Sequence, residues 1–298
     1  MKLNIWLILD GKRGHEKQIE DLAFSINKKI KTNITKIKKI SFLNILLNFL
    51  RIGNDPCKYF PRPDLIIAAG HRTHFDALQK KNRYGGKIIL IMKPSIPTFL
   101  FDLSIIPSHD KVFFKKNTMS IEGPLNNIKN LKKHKSNKGL ILIGGPSKHF
   151  SWNNTDLIFK VKKIVLDNQD LDITLSTSRR TPDIFLEEIK KNIKKQLRII
   201  DHKNVSSDWL QKSMSESKYS WVTQDSISMM FELIYSGSLV TCIDLNNRSY
   251  KFEKIYQDLY NNNRINFTNK KIKKIKPLSM DSSNADICAS FIIKRFLN

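Results

Sequence analysis

Seven consecutive residues, Ser176-Thr177-Ser178-Arg179-Arg180-Thr181-Pro182, gather four hydroxyls and two guanidiniums just ahead of Asp183. Paired guanidinium forks and hydroxyl donors match the oxygens of a diphosphate. A second cluster runs Thr223-Gln224-Asp225-Ser226-Ile227. Here Asp225 or Ser226 can cap a helix and leave neighbouring N–H groups for a phosphate, while Glu232, two turns along, is placed for ribose hydroxyls. Ser226 suits a phosphate better, because an Asp225 cap would itself neutralise the helix N-terminus. The third cluster is Gly144-Gly145-Pro146-Ser147-Lys148, whose two glycines let backbone come close to a ligand. It lacks the Gly-Lys-[Ser/Thr] ending of a Walker loop, and the chain has no G-x-G-x-x-G fingerprint.

The first half offers different chemistry. His15 follows Asp10-Gly11-Lys12-Arg13-Gly14, His71 and His74 follow Gly70, and Asp110 closes the turn Pro107-Ser108-His109-Asp110. Imidazole or carboxylate at such positions can take a proton from a hydroxyl nucleophile, which makes His15 and Asp110 the candidate catalytic groups.

Five of these stretches, residues 10–15, 70–74, 144–148, 176–182 and 225–232, fall at the ends of short apolar runs, which are Leu3–Leu9 and residues 64–69, 87–92, 140–143, 171–175, 197–200, 219–223 and 239–243. Each is followed by a turn signal and a helical pattern. That alternation predicts α/β architecture with parallel sheets built from right-handed βαβ units. In such sheets ligands bind outside the carboxyl ends of the strands, where the candidate residues lie. A Lys- and Asn-rich stretch over 126–138 precedes a fresh strand, so the chain divides into a Rossmann-like domain over 1–130 and a second over 131–298. The closing stretch 282–296 carries Ile287, Ala289, Phe291, Ile292, Ile293 and Phe296 and is expected as a helix docked on the second domain.

The chain has 298 residues, enough for two cores, and a formal net charge of +25. Much of that charge fits the Lys- and Asn-rich, Ala- and Gly-poor composition that an AT-rich genome imposes on exposed positions; the remainder favours anionic partners. Nucleic acid is not among those expected, since no recognition helix, RNA-binding aromatic signature or zinc module accompanies the charge. Cys57, Cys242 and Cys288 are odd in number and widely spaced, with no metal-ligand pattern, so a reducing, cytoplasmic setting and no metal are expected. No apolar run reaches the roughly 20 residues of a spanning helix. Residues 38–51, opening on Lys38 and closing on Arg51, read as a basic-flanked helix with a wide apolar side. Such a helix either packs inside its domain or lies on an anionic membrane surface.

The chain resembles the mitochondrial fission Elm family over nearly its whole length. The resemblance rests on Asp10-Gly11-Lys12 with Gly14-His15-Glu16 and Gln18; on Lys93-Pro94, Phe101-Asp102-Leu103, Pro107 and His109-Asp110; and on Gly123-Pro124-Leu125-Asn126. It continues through 143–148, 177–182, Asp225-Ser226, Ser228-Met229, Glu232 and Gly237. It implies a glycosyltransferase-B-like plan, two Rossmann-like domains whose sheets face a central cleft, similar to the enzyme that adds N-acetylglucosamine to a lipid-linked peptidoglycan precursor. In that plan the second domain holds a nucleotide-sugar and the first an acceptor, the nucleotide-sugar being substrate and no cofactor being needed. Bacterial members are often labelled nucleoside-diphosphate-sugar epimerases, a label that fits poorly with the missing dinucleotide fingerprint. Two readings follow. One is a metal-independent glycosyltransferase that binds a nucleotide-sugar, or another phosphorylated small molecule, through Gly144, Gly145, Ser147, Thr177, Ser178, Arg179, Arg180, Asp225, Ser226 and Glu232. The other is a non-catalytic recruitment module on the same fold.

Overall fold

A computed structural model describes residues 2–41, 44–46, 55–110, 116–193, 197–245, 250–278 and 282–297. The chain forms two compact units, Met1–Asn127 with Ser282–Asn298, and Ile128–Asp281.

The first unit carries a six-stranded, wholly parallel sheet in the order β2-β1-β3-β4-β5-β6. Its strands are β1 (Leu3–Leu9), β2 (Thr32–Lys38), β3 (Leu65–Ala69), β4 (Lys87–Ile91), β5 (Leu103–Pro107) and β6 (Thr118–Ile121). Leu-Ile-Ile-Ala-Ala in β3 is buried throughout, as a strand covered on both faces requires. Helix α1 (Arg13–Asn27) turns Ile19, Leu22, Ala23 and Ile26 onto one face of the sheet. Helix α2 (His74–Tyr84) lies against the other, where Trp6, Ile66, Ala77 and Ile88 share a core.

The second unit repeats the plan with β7 (Lys135–Leu142), β8 (Asp172–Ser176), β9 (Arg198–Ile200), β10 (Ser217–Thr223), β11 (Leu239–Ile243) and β12 (Ile265–Phe267). All pair in parallel, in the order β12-β11-β10-β7-β8-β9. Helices α3 (Asn154–Leu166) and α4 (Asp183–Asn192) cover one face with Leu157, Val161, Phe185 and Ile189. Helices α5 (Ser207–Glu216), α6 (Ile227–Ser236) and α7 (Tyr250–Asn261) belong to the other. The α/β class expected from the alternating runs is therefore the class observed.

Two expectations change. The closing helix, α8 (Asn284–Phe296), belongs to the first unit and not the second. Ala285, Cys288, Ala289 and Ile292 enter the core that α1 covers, while Ile287 and Phe291 stay partly exposed. Asn284 Oδ1 accepts from Asn126 N at 2.8 Å, Asn284 Nδ2 donates to Pro124 O, and Ala285 N donates to Asn126 O. An amphipathic pattern gives a helix its face but not the sheet that covers it. The basic segment at 38–51 also starts differently. Lys38 ends β2, and Ser41 O accepts from Ile45 N as a turn begins. Residues 42–43 and 47–51 lie outside the described residues. No helix among the described residues is long and apolar enough to cross a membrane.

Asp102 ties the parts of the first unit together. Its carboxylate accepts from Lys81 Nζ at 2.6 Å and from Ile88 N at 2.9 Å, and Lys87 adds a second cation at 3.4 Å. Burial pushes this carboxyl up, but those donors overcome it and hold it below the ordinary carboxylate range. A depressed carboxylate contributes stability that is present above its unfolded pKa and lost as pH falls through the folded one. Asp102→Asn is expected to lower the melting temperature at about pH 7, and the gap to the parent should close toward about pH 3 in thermal scans.

Candidate functional site

Both sheets reverse strand order next to their first strand, and in open parallel sheets the carboxyl ends beside such a reversal are where ligands bind. In the first unit the reversal lies between β1 and β3; in the second, between β7 and β10. The chemistry-bearing residues gather at these two points.

At the first, Asp10 leaves β1 with a carboxylate only 1% exposed, and Oδ2 meets His15 Nδ1 at 2.9 Å. Oδ1 accepts from Lys12 N, and Glu16 Oε1 accepts from Gly11 N, which fixes the turn into α1. The imidazole rests against Gly70 at the end of β3. A Cβ at Gly70 would fall 2.5 Å from His15 Cε1, and φ is +79° there, so this place takes only glycine. With Nδ1 held by a carboxylate, Nε2 is the ring nitrogen turned away from Asp10. His74 is different. It is buried, Ser95 Oγ lies 3.3 Å from Nδ1, and burial, aided by the nearby charge of His71, pushes its pKa down to about 4. It stays neutral and structural. Asp110 ends the turn after β5, three strands from β1, a separation of roughly 14 Å. Lys93 Nζ donates to its carbonyl. Asp110 and His15, the two candidate catalytic groups, are thus not brought together, and the carboxylate beside His15 is Asp10.

At the second reversal three loops interlock. Asp225, its side chain wholly buried, accepts from Gly145 N at 2.9 Å and from Arg180 Nη2 at 2.6 Å through Oδ2. Arg180 Nη1 also donates to Gly145 O. Gly144 N donates to Thr223 Oγ1, and Gly144 O accepts from Ser178 Oγ and Thr181 Oγ1. The glycines are obligatory: a Cβ on Gly144 would lie 2.1 Å from Asp225 Oδ2, and one on Gly145 2.0 Å from Arg180 O. Behind them, the Tyr256 hydroxyl of α7 donates to Gln224 O and holds the end of β10.

The two arginines therefore differ. Arg180 is spent on Asp225 and the Gly145 carbonyl, whereas Arg179 is exposed and makes no hydrogen bond or ion pair among the described residues. Thr177 is buried, and its hydroxyl accepts from His202 N. Ser147 Oγ accepts from His149 N. Ser226 stands at the N-cap of α6 without a side-chain cap bond, and the neighbouring Asp225 carboxylate turns toward Arg180. The first N–H groups of α6 accordingly lack a side-chain cap, and Arg180 offsets the acid beside them. Glu232 is buried in the second turn of α6.

Sequence reading missed Asp10 as the partner of His15, and Thr181 and Thr223 as the hydroxyls that hold Gly144. An acid closing an apolar strand and a histidine one turn into the next helix was the available signal for Asp10.

Two parallel six-stranded α/β units with ligand-type loops at both reversal points define a glycosyltransferase-B-like protein. The fold is that of a UDP-GlcNAc 2-epimerase from Methanocaldococcus jannaschii, with TM-score 0.59 and 11% identity over 99% of this chain and 100% of that one. A glycosyltransferase from Rickettsia africae matches at TM-score 0.50 and 13% identity over 98% of this chain and 88% of its own. Anabaena HepE, solved with UDP and glucose, matches at 0.51 and 9%, over 98% and 90%. The chain belongs to the mitochondrial fission ELM1 family, whose model matches residues 13–296. An uncharacterised Rickettsia prowazekii protein, RP120, is 30% identical over 79% of this chain and 81% of its own length.

Gly145→Ala should force Arg180 and the β7 loop apart. The expected result is a loss of about 2 kcal/mol in unfolding free energy, checked by denaturant titration.

Proposed function

We propose that the second unit binds a nucleotide-sugar and that the protein transfers the sugar to an acceptor hydroxyl. The observation that carries this reading is the arrangement at the β7/β10 reversal. Asp225 and Arg180 fix three loops in place, and that leaves Arg179 and the first turn of α6 as donors for a diphosphate. Fixed donors stabilise the charge that develops on a departing nucleoside diphosphate without reorganising. Nucleotide-sugar binding is supported by the same fold in a UDP-GlcNAc 2-epimerase solved with UDP-GlcNAc and UDP.

In this reading His15 of the first unit is the base. Its Nε2 takes the acceptor hydroxyl proton as that oxygen bonds to the anomeric carbon, and the bond from that carbon to the diphosphate oxygen breaks. Asp10 orients the ring and stabilises the imidazolium that forms. A lipid-linked acceptor fits the resemblance already described.

Calorimetry of the full chain against UDP-, GDP- and CMP-sugars and the bare nucleotides tests the donor site. Micromolar binding to one nucleotide class is expected, weakened about tenfold in Arg179→Ala with no change in melting temperature. Arg180→Ala should lose both affinity and stability, because it strands the Asp225 carboxylate. No binding across the panel would remove the proposal and favour the recruitment module.

Turnover tests the base. With the donor so identified and product followed by NMR, His15→Ala should lower kcat by about a hundredfold or more, and Asp10→Asn by less. Full turnover in His15→Ala would clear His15 of the role. A sugar epimer formed with no acceptor present would replace transfer by epimerisation while keeping the donor site.

A further inference from the structure

The second unit has a cavity on the edge of its sheet opposite the Gly144–Asp225 loops. Ile141, Ile173, Leu175 and Ile199 enter the core beneath α3 and α4. Strand alternation therefore turns Leu140, Asp172, Thr174 and Arg198 to the opposite face. Helix α5 lies over β7 and β10 on that face, and beyond it the outer strands β8 and β9 present polar side chains. A parallel sheet covered on both faces would read as apolar at those positions. Here Asp172, Thr174 and Arg198 line one wall of a cavity of about 220 Å³, with Trp209, Lys212 and Ser213 of α5 along the other.

The wall has open valences of several kinds. Lys138 Nζ is committed to Glu216 at 2.9 Å. The Arg198 guanidinium, the Asp172 carboxylate and the Trp209 indole N–H have no hydrogen-bond or ion-pair partner among the described residues. Trp209 is half-buried, anchored on the core of the second unit, so its ring is a fixed surface. Guanidinium and ammonium groups match a phosphate, a carboxylate accepts from sugar hydroxyls, and an indole face covers the apolar side of a pyranose. The volume is below the roughly 300 Å³ at which pockets for drug-sized ligands begin. It suits one sugar ring and not a nucleotide-sugar.

We propose that this cavity is a second ligand site, separate from the β7/β10 reversal, for a monosaccharide phosphate held between Arg198 and Lys212 with its hydroxyls on Asp172 and Thr174. The site stands whether or not the donor-site reading holds, because none of its residues is shared with that loop cluster.

The test is calorimetry of the full chain with glucose 6-phosphate, glucose and inorganic phosphate as separate probes, with and without saturating UDP. Glucose 6-phosphate is expected to bind at least about tenfold more tightly than either fragment. Arg198→Ala and Asp172→Asn, both exposed positions that leave the fold intact, should each weaken it about tenfold, and UDP should leave it unchanged. Absence of glucose 6-phosphate binding at millimolar concentration, binding indifferent to both substitutions, or displacement by UDP would each overturn the proposal.

Discussion

The buried carboxylate of Asp225 is the interaction on which the second unit's loops depend. A side chain with no exposure keeps its charge only if donors surround it, and Gly145 N and Arg180 supply them. Satisfying that one group brings β7, the loop after β8 and the start of α6 to a common point. Both carboxylate oxygens press on Gly144, which is why no side chain can occupy that position. The cost of the buried acid is offset by order in the loops around it.

The first unit solves a similar problem with different residues. Asp10 follows β1 much as Asp225 follows β10, and each is buried beside a cationic or ionisable partner. In each case a glycine at a neighbouring strand end makes room, Gly70 for the imidazole and Gly144 and Gly145 for the carboxylate and the Arg180 carbonyl. The consequence differs: Arg180 is immobilised as part of the scaffold, whereas His15 keeps one ring nitrogen without a hydrogen-bond partner among the described residues. One arrangement shapes a loop cluster; the other positions an imidazole.

Much of the fold was legible because parallel strands buried on both faces must be apolar throughout, and such runs stand out in β1, β3, β4 and β7. Strands β2, β5, β6 and β12 were not found. Thr-Asn-Ile-Thr-Lys-Ile-Lys in β2 alternates like a half-exposed edge, and Ile-Asn-Phe in β12 is too short to show a period. The site residues were legible as types at strand ends, since glycine pairs, hydroxyls and arginines are conspicuous there. Their partners were not, because whether Arg180 meets a ligand or Asp225, 45 positions on, depends on strand order in space. For the same reason sequence pattern could not choose between sheets for α8.

The return of α8 to the first unit also orders events during synthesis. The second unit, residues 128–281, has left the ribosome in full before the first unit owns all its parts. Until residues 282–297 emerge, the face of the first sheet beside α1 lacks Ala285, Cys288, Ala289 and Ile292 and exposes apolar surface. The N-terminal unit, first to be made, is thus the last to be completed, and a chain cut at residue 281 keeps the whole of one unit while the other exposes apolar surface of the kind chaperones recognise.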